Sequence, residues 1–186
     1  MIERTFDKVD FTQNQLPVEE YELCVFKNCD FSNSDLSEAV FMECEFDNCN
    51  LSLAKLNGTA MRDTKFKNCK MLGLRFENCN PIGLSFGFEN CNLSQSSFYR
   101  IKAKKSIFRN VRFHEADFTE SDLSGSLFDN CDLHRSTFQN TNLERADFRT
   151  AFNYSINPES NRVRKARFSL NGLPGLLGSY DIEIEY

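Results

Sequence analysis

The sequence predicts a solenoid, a chain wound from internal repeats, and three observations carry that prediction. There are 19 phenylalanines among 186 residues and no tryptophan, an excess that points to a repeat. Large apolar residues recur at every fifth position, and small residues recur two positions before each of them. A step of five fits neither the helical period of about 3.6 nor the strand period of about 2. No single helix or ordinary strand buries such a line.

The large positions run Phe6, Phe11, Leu16, Tyr21, Phe26, Phe31, Leu36, Phe41, Phe46 and on through Phe66, Phe76, Pro81 and Phe86. The series then slips by two residues and runs from Phe88 through Phe98, Phe108, Phe118, Phe128 and Phe138 to Phe148. Of the 19 phenylalanines, only Phe152 and Phe168 fall outside these runs. The small class includes Ser34, Ala39, Ala54, Thr59, Thr64, Ser96, Ala116, Ser126 and Ala146, with Leu74 and Leu84 as larger members. All eight cysteines belong to it. Each unit therefore points one large and one small side chain inward. The other three positions hold Asp, Asn, Ser, Glu, Lys and Arg and face water.

Segments such as CDFSNSDLSEAVF and ADFTESDLSGSLF, from about residue 22 to 150, resemble the pentapeptide-repeat family. That pattern is a small residue, Asp or Asn, Leu or Phe, a polar residue, then any residue. The resemblance implies an all-β fold, a right-handed quadrilateral (four-sided) β-helix with four pentapeptides per coil. Here it implies about eight coils of 20 residues.

The sequence supports a 20-residue coil independently. Sampled every 20 residues, one column reads Phe6, Phe26, Phe46, Phe66, then Phe86 or Phe88, then Phe108, Phe128, Phe148 and Phe168. Phe26, Phe46, Phe66, Phe108, Phe128, Phe148 and Phe168 are thus the expected structural core. The uniformity places a two-residue bulge near 82–92. It also implies a last coil through Asn153, Pro158, Val163 and Phe168, with Ala151, Ile156 and Ala166 as its small set. A polar column, Asn28, Asn48, Asn68, Asn90, Asn110 and Asn130, has the same period. Asparagine tolerates the left-handed conformation of sharp corners, and stacked amides can bond along a ladder.

A β-helix must cap its open ends. The β-helix is expected over 1–168, with 1–21 an irregular first coil where Asn14, Pro17, Glu19 and Glu20 weaken the pattern. Residues 169–186 form the cap. Leu170, Leu173, Leu176 and Leu177 predict a short helical plug. Tyr180, Ile182, Ile184 and Tyr186 alternate with acids and predict a terminal strand. That strand either folds back on the last coil or meets a second copy. Related proteins dimerise through this end, so Leu173, Leu176, Leu177, Tyr180, Ile182, Ile184 and Tyr186 are the candidate homodimer interface.

Residues 1–50 carry 12 acidic against 3 basic residues, a net of −9, within a chain of net −5. Asp30, Asp35, Glu38, Glu43, Glu45 and Asp47 form a candidate partner-binding acidic patch. Direct nucleic-acid binding is not expected at this charge, although Lys102, Lys104, Lys105, Arg109 and Arg112 cluster. A mean hydropathy of −0.48 with no long apolar run predicts no membrane helix. The start has no signal-like apolar stretch, and eight free thiols suit the cytoplasm.

Catalytic, cofactor and metal sites are not expected, and the chain is read as no enzyme. There is no nucleophile motif, Walker loop or dinucleotide fingerprint. The repeat itself places Asp before each large residue, so paired carboxylates carry no catalytic information. The cysteines are buried small hydrophobes by position, and His114 and His134 are two surface histidines one coil apart. The expected function is a protein-interaction or scaffold module. CVFKNCDFSNSDLSEAVFMECEF is also similar to the early coils of the quinolone-resistance (Qnr-type) group. That resemblance implies the alternative, a DNA-mimic-like protein that binds or protects the type II topoisomerases DNA gyrase and topoisomerase IV. Qnr-type proteins carry long projecting loops; this chain has only two extra residues, near Gly87.

Overall fold

The computed structural model describes residues 4–180 and 182–185. Ten short strands lie along the chain: β1 (Thr5–Asp7), β2 (Glu20–Glu22), β3 (Val25–Lys27), β4 (Val40–Met42), β5 (Glu45–Asp47), β6 (Ala60–Arg62), β7 (Thr64–Lys67), β8 (Phe86–Glu89), β9 (Ile107–Arg109) and β10 (Leu127–Asp129). They form a seven-stranded sheet, β1-β3-β5-β7-β8-β9-β10, and a three-stranded sheet, β2-β4-β6. Every pairing is parallel and in repeat register: Phe6 faces Phe26, Phe26 faces Phe46, and Phe41 faces Met61. The fold is a parallel β-solenoid.

The larger sheet makes six turns between Phe6 and Phe128, fewer than the eight expected. Beyond β10 the winding continues on single bridges, Leu127 to Asp147 and Asp147 to Arg167, without extended strands. The left-handed corners Asn140 and Arg145 continue the corner pattern set earlier by Asn28, Asn48 and Asn110.

Phe26, Phe46, Phe66, Phe108, Phe128 and Phe148 are buried, and Phe168 is half-buried at the end of the column. Neighbouring rings along this column lie 4.4 to 5.9 Å apart, centroid to centroid. Parallel pairing enforces the stacking, because each ring sits directly over its counterpart one coil away. Phe88 takes the column position, facing both Phe66 and Phe108. Phe86 faces Thr64 instead and so fills a small-residue position with a ring.

The small positions do more than fill space. Ser34, Thr59, Ser136 and Thr141 donate their hydroxyls to carbonyl oxygens one coil below, at 2.6 to 3.0 Å. Cys29, Cys44, Cys49, Cys69 and Cys131 aim their thiols the same way. A small side chain with a short donor serves each site, which accounts for the Ser, Thr and Cys content. All eight cysteines are free and buried. Burial pushes the Cys44 thiol up to about 11 and those of Cys79 and Cys131 up to about 12. Since the thiolate is the reactive form, a thiol reagent at neutral pH should label the native protein slowly and all eight cysteines after denaturation. Rapid labelling of most thiols without denaturant would contradict this packing.

Two expectations about individual positions fail. Pro81 is exposed and Leu84 only half-buried. Proline has no N–H for the ladder, and the extra residues make residues 81–84 leave the wall as a bulge, before Ser85 rejoins it through bonds to Met61 and Thr64. In the last coil, Asn153 is an exposed left-handed corner, so the next residue, Tyr154, turns inward and is buried. At the other end the ladder is in register from Thr5, and the departure from regularity lies in the exposed turn after Phe11.

The cap is a 3-10 turn (Leu170–Gly172), a one-turn helix α1 (Pro174–Leu177) and a second 3-10 turn (Gly178–Tyr180). The Ile156 N–H donates to the Gly175 carbonyl at 2.8 Å and ties the plug to the last coil. Residues 182–185 form no strand. An extended segment needs a partner edge, and among the described residues this one has none. Asp181 and Tyr186 lie outside the described residues.

Candidate interaction surface

The residue before each large position explains why carboxylates line the walls. Asp30 accepts the Ser32 N–H at 2.8 Å and Asp35 the Ser37 N–H at 3.0 Å. Asn50, Asp117, Asp122, Asn142 and Asp147 make the same bond two residues on. These are Asx turns, in which a side-chain oxygen closes the bend a backbone carbonyl would otherwise make. Ser37, through its hydroxyl and N–H, holds the Asp35 carboxyl below the usual carboxylate range. Asp and Asn at this position are therefore engaged in the fold.

The six acidic-patch residues do not form one surface. Asp30 bridges Asp10 and Asn50 on one side, and Asp35 bridges Lys55 on the next. Glu45 and Asp47 lie on the seven-stranded wall, where Glu45 binds the Lys67 ammonium at 2.9 Å and Asp47 accepts the Asn68 amide at 2.8 Å. Glu38 and Glu43 differ. They occupy left-handed corners either side of β4, with φ of 62° and 51°, and make no side-chain hydrogen bond or ion pair among the described residues. Glu20 and Glu22, on β2, pair in register with Val40 and Met42 of β4. The three-stranded wall thus gathers Glu20, Glu22, Glu38 and Glu43. The first two were missing from the expected patch, although the 20-residue period alone places them beside residues 40 and 42.

The seven-stranded wall is charge-balanced. Asp7, Lys27, Asp47, Lys67, Glu89, Arg109 and Asp129 follow one another in register. The asparagine corners form a ladder beside it. Asn48 donates to Asn28, Asn110 to Asn90 and Asn130 to Asn110 at 2.7 to 3.0 Å, while Asn68 turns to Asp47. His114 Nε2 lies 2.6 Å from Asp132 Oδ2, and the His114 and His134 rings are 5.5 Å apart. No group of three or more His, Cys, Asp or Glu among the described residues could hold a metal ion. In the basic cluster, Lys104 pairs with Asp122 and Arg109 with Asp129.

The second candidate surface is the C-terminal end. Leu173, Tyr180, Ile182 and Ile184 are 40%, 47%, 55% and 41% exposed. Leu176 and Leu177 are half-buried, with Leu176 packed on the core. Leu170 and Phe152 add to this exposed apolar end, which the described residues leave uncovered. Tyr180 donates its hydroxyl to Glu159 at 2.8 Å.

Family models named pentapeptide repeats match residues 23–58 and 44–80, and one named pentapeptide repeat region matches residues 84–152. This chain belongs to the pentapeptide-repeat family. The matched segments are the coils described above, and the break between them falls at the bulge. Among solved structures, full-length QnrB1, a plasmid-mediated fluoroquinolone resistance protein, is similar over 97% of this chain and 98% of its own, with 19% identity and a TM-score of 0.66. A trypsin-treated variant of QnrB1 is similar over 100% of both chains, with 19% identity and a TM-score of 0.65. At that identity the likeness is one of fold. No curated protein shows significant sequence similarity to the chain. No helix among the described residues is long and apolar enough to cross a membrane.

Proposed function

We propose that this pentapeptide-repeat chain is a non-enzymatic, cytoplasmic protein-interaction module whose working surface is its outer walls. The observation that carries the reading is the three-stranded wall, where Glu20, Glu22, Glu38 and Glu43 share one face and Glu38 and Glu43 have no side-chain partner among the described residues. The filled core and the engagement of Asp in turns leave fixed walls as the part of the fold that varies in chemistry. Such a wall recognises a cationic surface and steers its approach.

A narrower reading takes a type II topoisomerase as the partner. Its support is the fold shared with QnrB1 along nearly all of both chains, together with the acidic first coils. A gyrase supercoiling assay, with and without a quinolone, tests it. The expected result is a change in supercoiling or relief of quinolone inhibition at micromolar protein. A chain that does neither removes the topoisomerase reading and leaves the wall to another partner.

The exposed apolar end supports a C-terminal homodimer, which would place the acidic coils at both tips of a closed twofold rod. Replacing Ile182 and Ile184 with Asp should give a monomer with an unchanged β spectrum. A wild-type chain that sediments as a monomer at tens of micromolar would refute the dimer.

A further inference from the structure

The three-stranded wall stops at the bulge, and the coils part there. The repeat register would join the Lys102 N–H to the Cys79 carbonyl, as it joins Asp122 to Ile101 and Asn142 to Ser121 one and two coils on. Neither Lys102 N–H nor Cys79 C=O makes that bond or any other hydrogen bond among the described residues. Between them opens a cleft of about 390 Å³, walled by Pro81, Leu84 and Ile101. Glu77 lines the same cleft, and its Oε2 is buried without a hydrogen-bond partner. Its other oxygen, Oε1, meets Arg75 at 3.4 Å. Arg100, at the rim, is held 2.6 Å from Glu120.

One small region thus holds an unpaired backbone donor, an unpaired backbone acceptor and an unpaired carboxylate oxygen beside apolar walls. Leaving such groups unmade costs more than an average hydrogen bond returns. We infer that the cleft is a docking site for an extended segment of a partner protein carrying an arginine or lysine. The segment's backbone would take the two ladder positions that Cys79 and Lys102 leave open, as in strand addition to a sheet. Its side-chain stem would lie on Leu84 and Ile101, and its charged head would give Glu77 Oε2 the donor it lacks. The adjoining wall carries Glu20, Glu22, Glu38 and Glu43 against one cation, Arg62 on β6, and of the two cations that line the cleft, Arg100 and Lys102, Arg100 is neutralised by Glu120.

This inference rests on the reading of the chain as a protein-interaction module and adds the site and the partner's chemistry. The probe is an acetylated and amidated valine-arginine-valine tripeptide, titrated into the full chain and followed by amide NMR. Its control carries citrulline, the neutral isostere of arginine. Saturable shifts are expected at Cys79, Leu84, Ile101 and Lys102, with slower exchange of the Lys102 amide. Affinity should fall roughly tenfold for the citrulline peptide and for Glu77→Gln, the loss of one charge-assisted bond. Leu84→Phe, which narrows the cleft and leaves its charge intact, should also abolish binding.

Absence of saturable shifts at about 10 mM peptide, weaker than any useful contact, would overturn the site. So would shifts that map elsewhere, or equal binding by Glu77→Gln. Equal binding of agmatine, a free guanidinium without a backbone, would assign the cleft to a small cation and overturn the strand-addition model. Failure of the peptide leaves the supercoiling assay untouched, so the two readings fall separately.

Discussion

Replacing Phe108 with alanine should lower the unfolding free energy by about 3–5 kcal/mol, the range for a large buried aromatic. Phe108 is fully buried, with its ring 5.9 Å from Phe88 and 4.9 Å from Phe128. It also meets Phe113 edge-on at 5.3 Å. The cavity cannot close, because parallel bonding on both sides fixes the backbone of β9. Urea unfolding followed by circular dichroism measures the loss. A value below about 1 kcal/mol, well under the usual range for such truncations, would show that the ring does not sit in the column.

Gly175→Ala should loosen the cap and cost about 2 kcal/mol, a sizeable effect for one methyl group. A Cβ at this position would collide with the Tyr154 carbonyl oxygen and stand 2.7 Å from the Tyr154 ring. The backbone oxygen cannot swing aside, because Tyr154 is itself buried. The plug would have to lift, breaking the bond from Ile156 to the Gly175 carbonyl. Faster amide exchange at Ile156 and Leu176, with the distant β9 amides unchanged, would mark a local loss. An unchanged exchange pattern and melting curve would mean that the plug is not docked as described.

The inward columns were legible in the sequence because inward packing fixes size class at every fifth residue. The period of 20 followed from the uniform Phe column, and so did the location of the bulge. Polar corners were less legible. Asn28 and its stack announced themselves, but Leu23, Leu53, Arg100 and Lys105 also adopt positive φ. The solenoid imposes that conformation at the corner whatever the residue, so propensity does not signal it. Tyr154 replaced Asn153 in the core because the left-handed conformation falls on Asn153 itself, the expected inward position, which a fixed step of five cannot foresee.

The acidic patch was the least legible feature. Nearness in sequence grouped Asp30, Asp35, Glu38, Glu43, Glu45 and Asp47, but a coil distributes consecutive pentapeptides over different sides. Residues share a wall when they are 20 apart, which is why Glu20 and Glu22 join Glu38 and Glu43 while Asp30 and Asp35 do not. Charge counting also could not separate carboxylates that close turns from those left facing water.

On the topoisomerase reading proposed above, the measurement that bears most directly on the acidic wall is the binding of this chain to DNA gyrase across a salt gradient, compared between two double variants. Glu38→Lys with Glu43→Lys reverses the two corner carboxylates. Asp30→Asn with Asp35→Asn removes the same number of acidic groups but keeps the side-chain oxygens that close the turns. The wall predicts that the first weakens binding by roughly tenfold or more and flattens its salt dependence, while the second stays close to wild type. Equal behaviour of the two variants, with wild-type binding intact, would contradict the assignment of the three-stranded wall as the working surface.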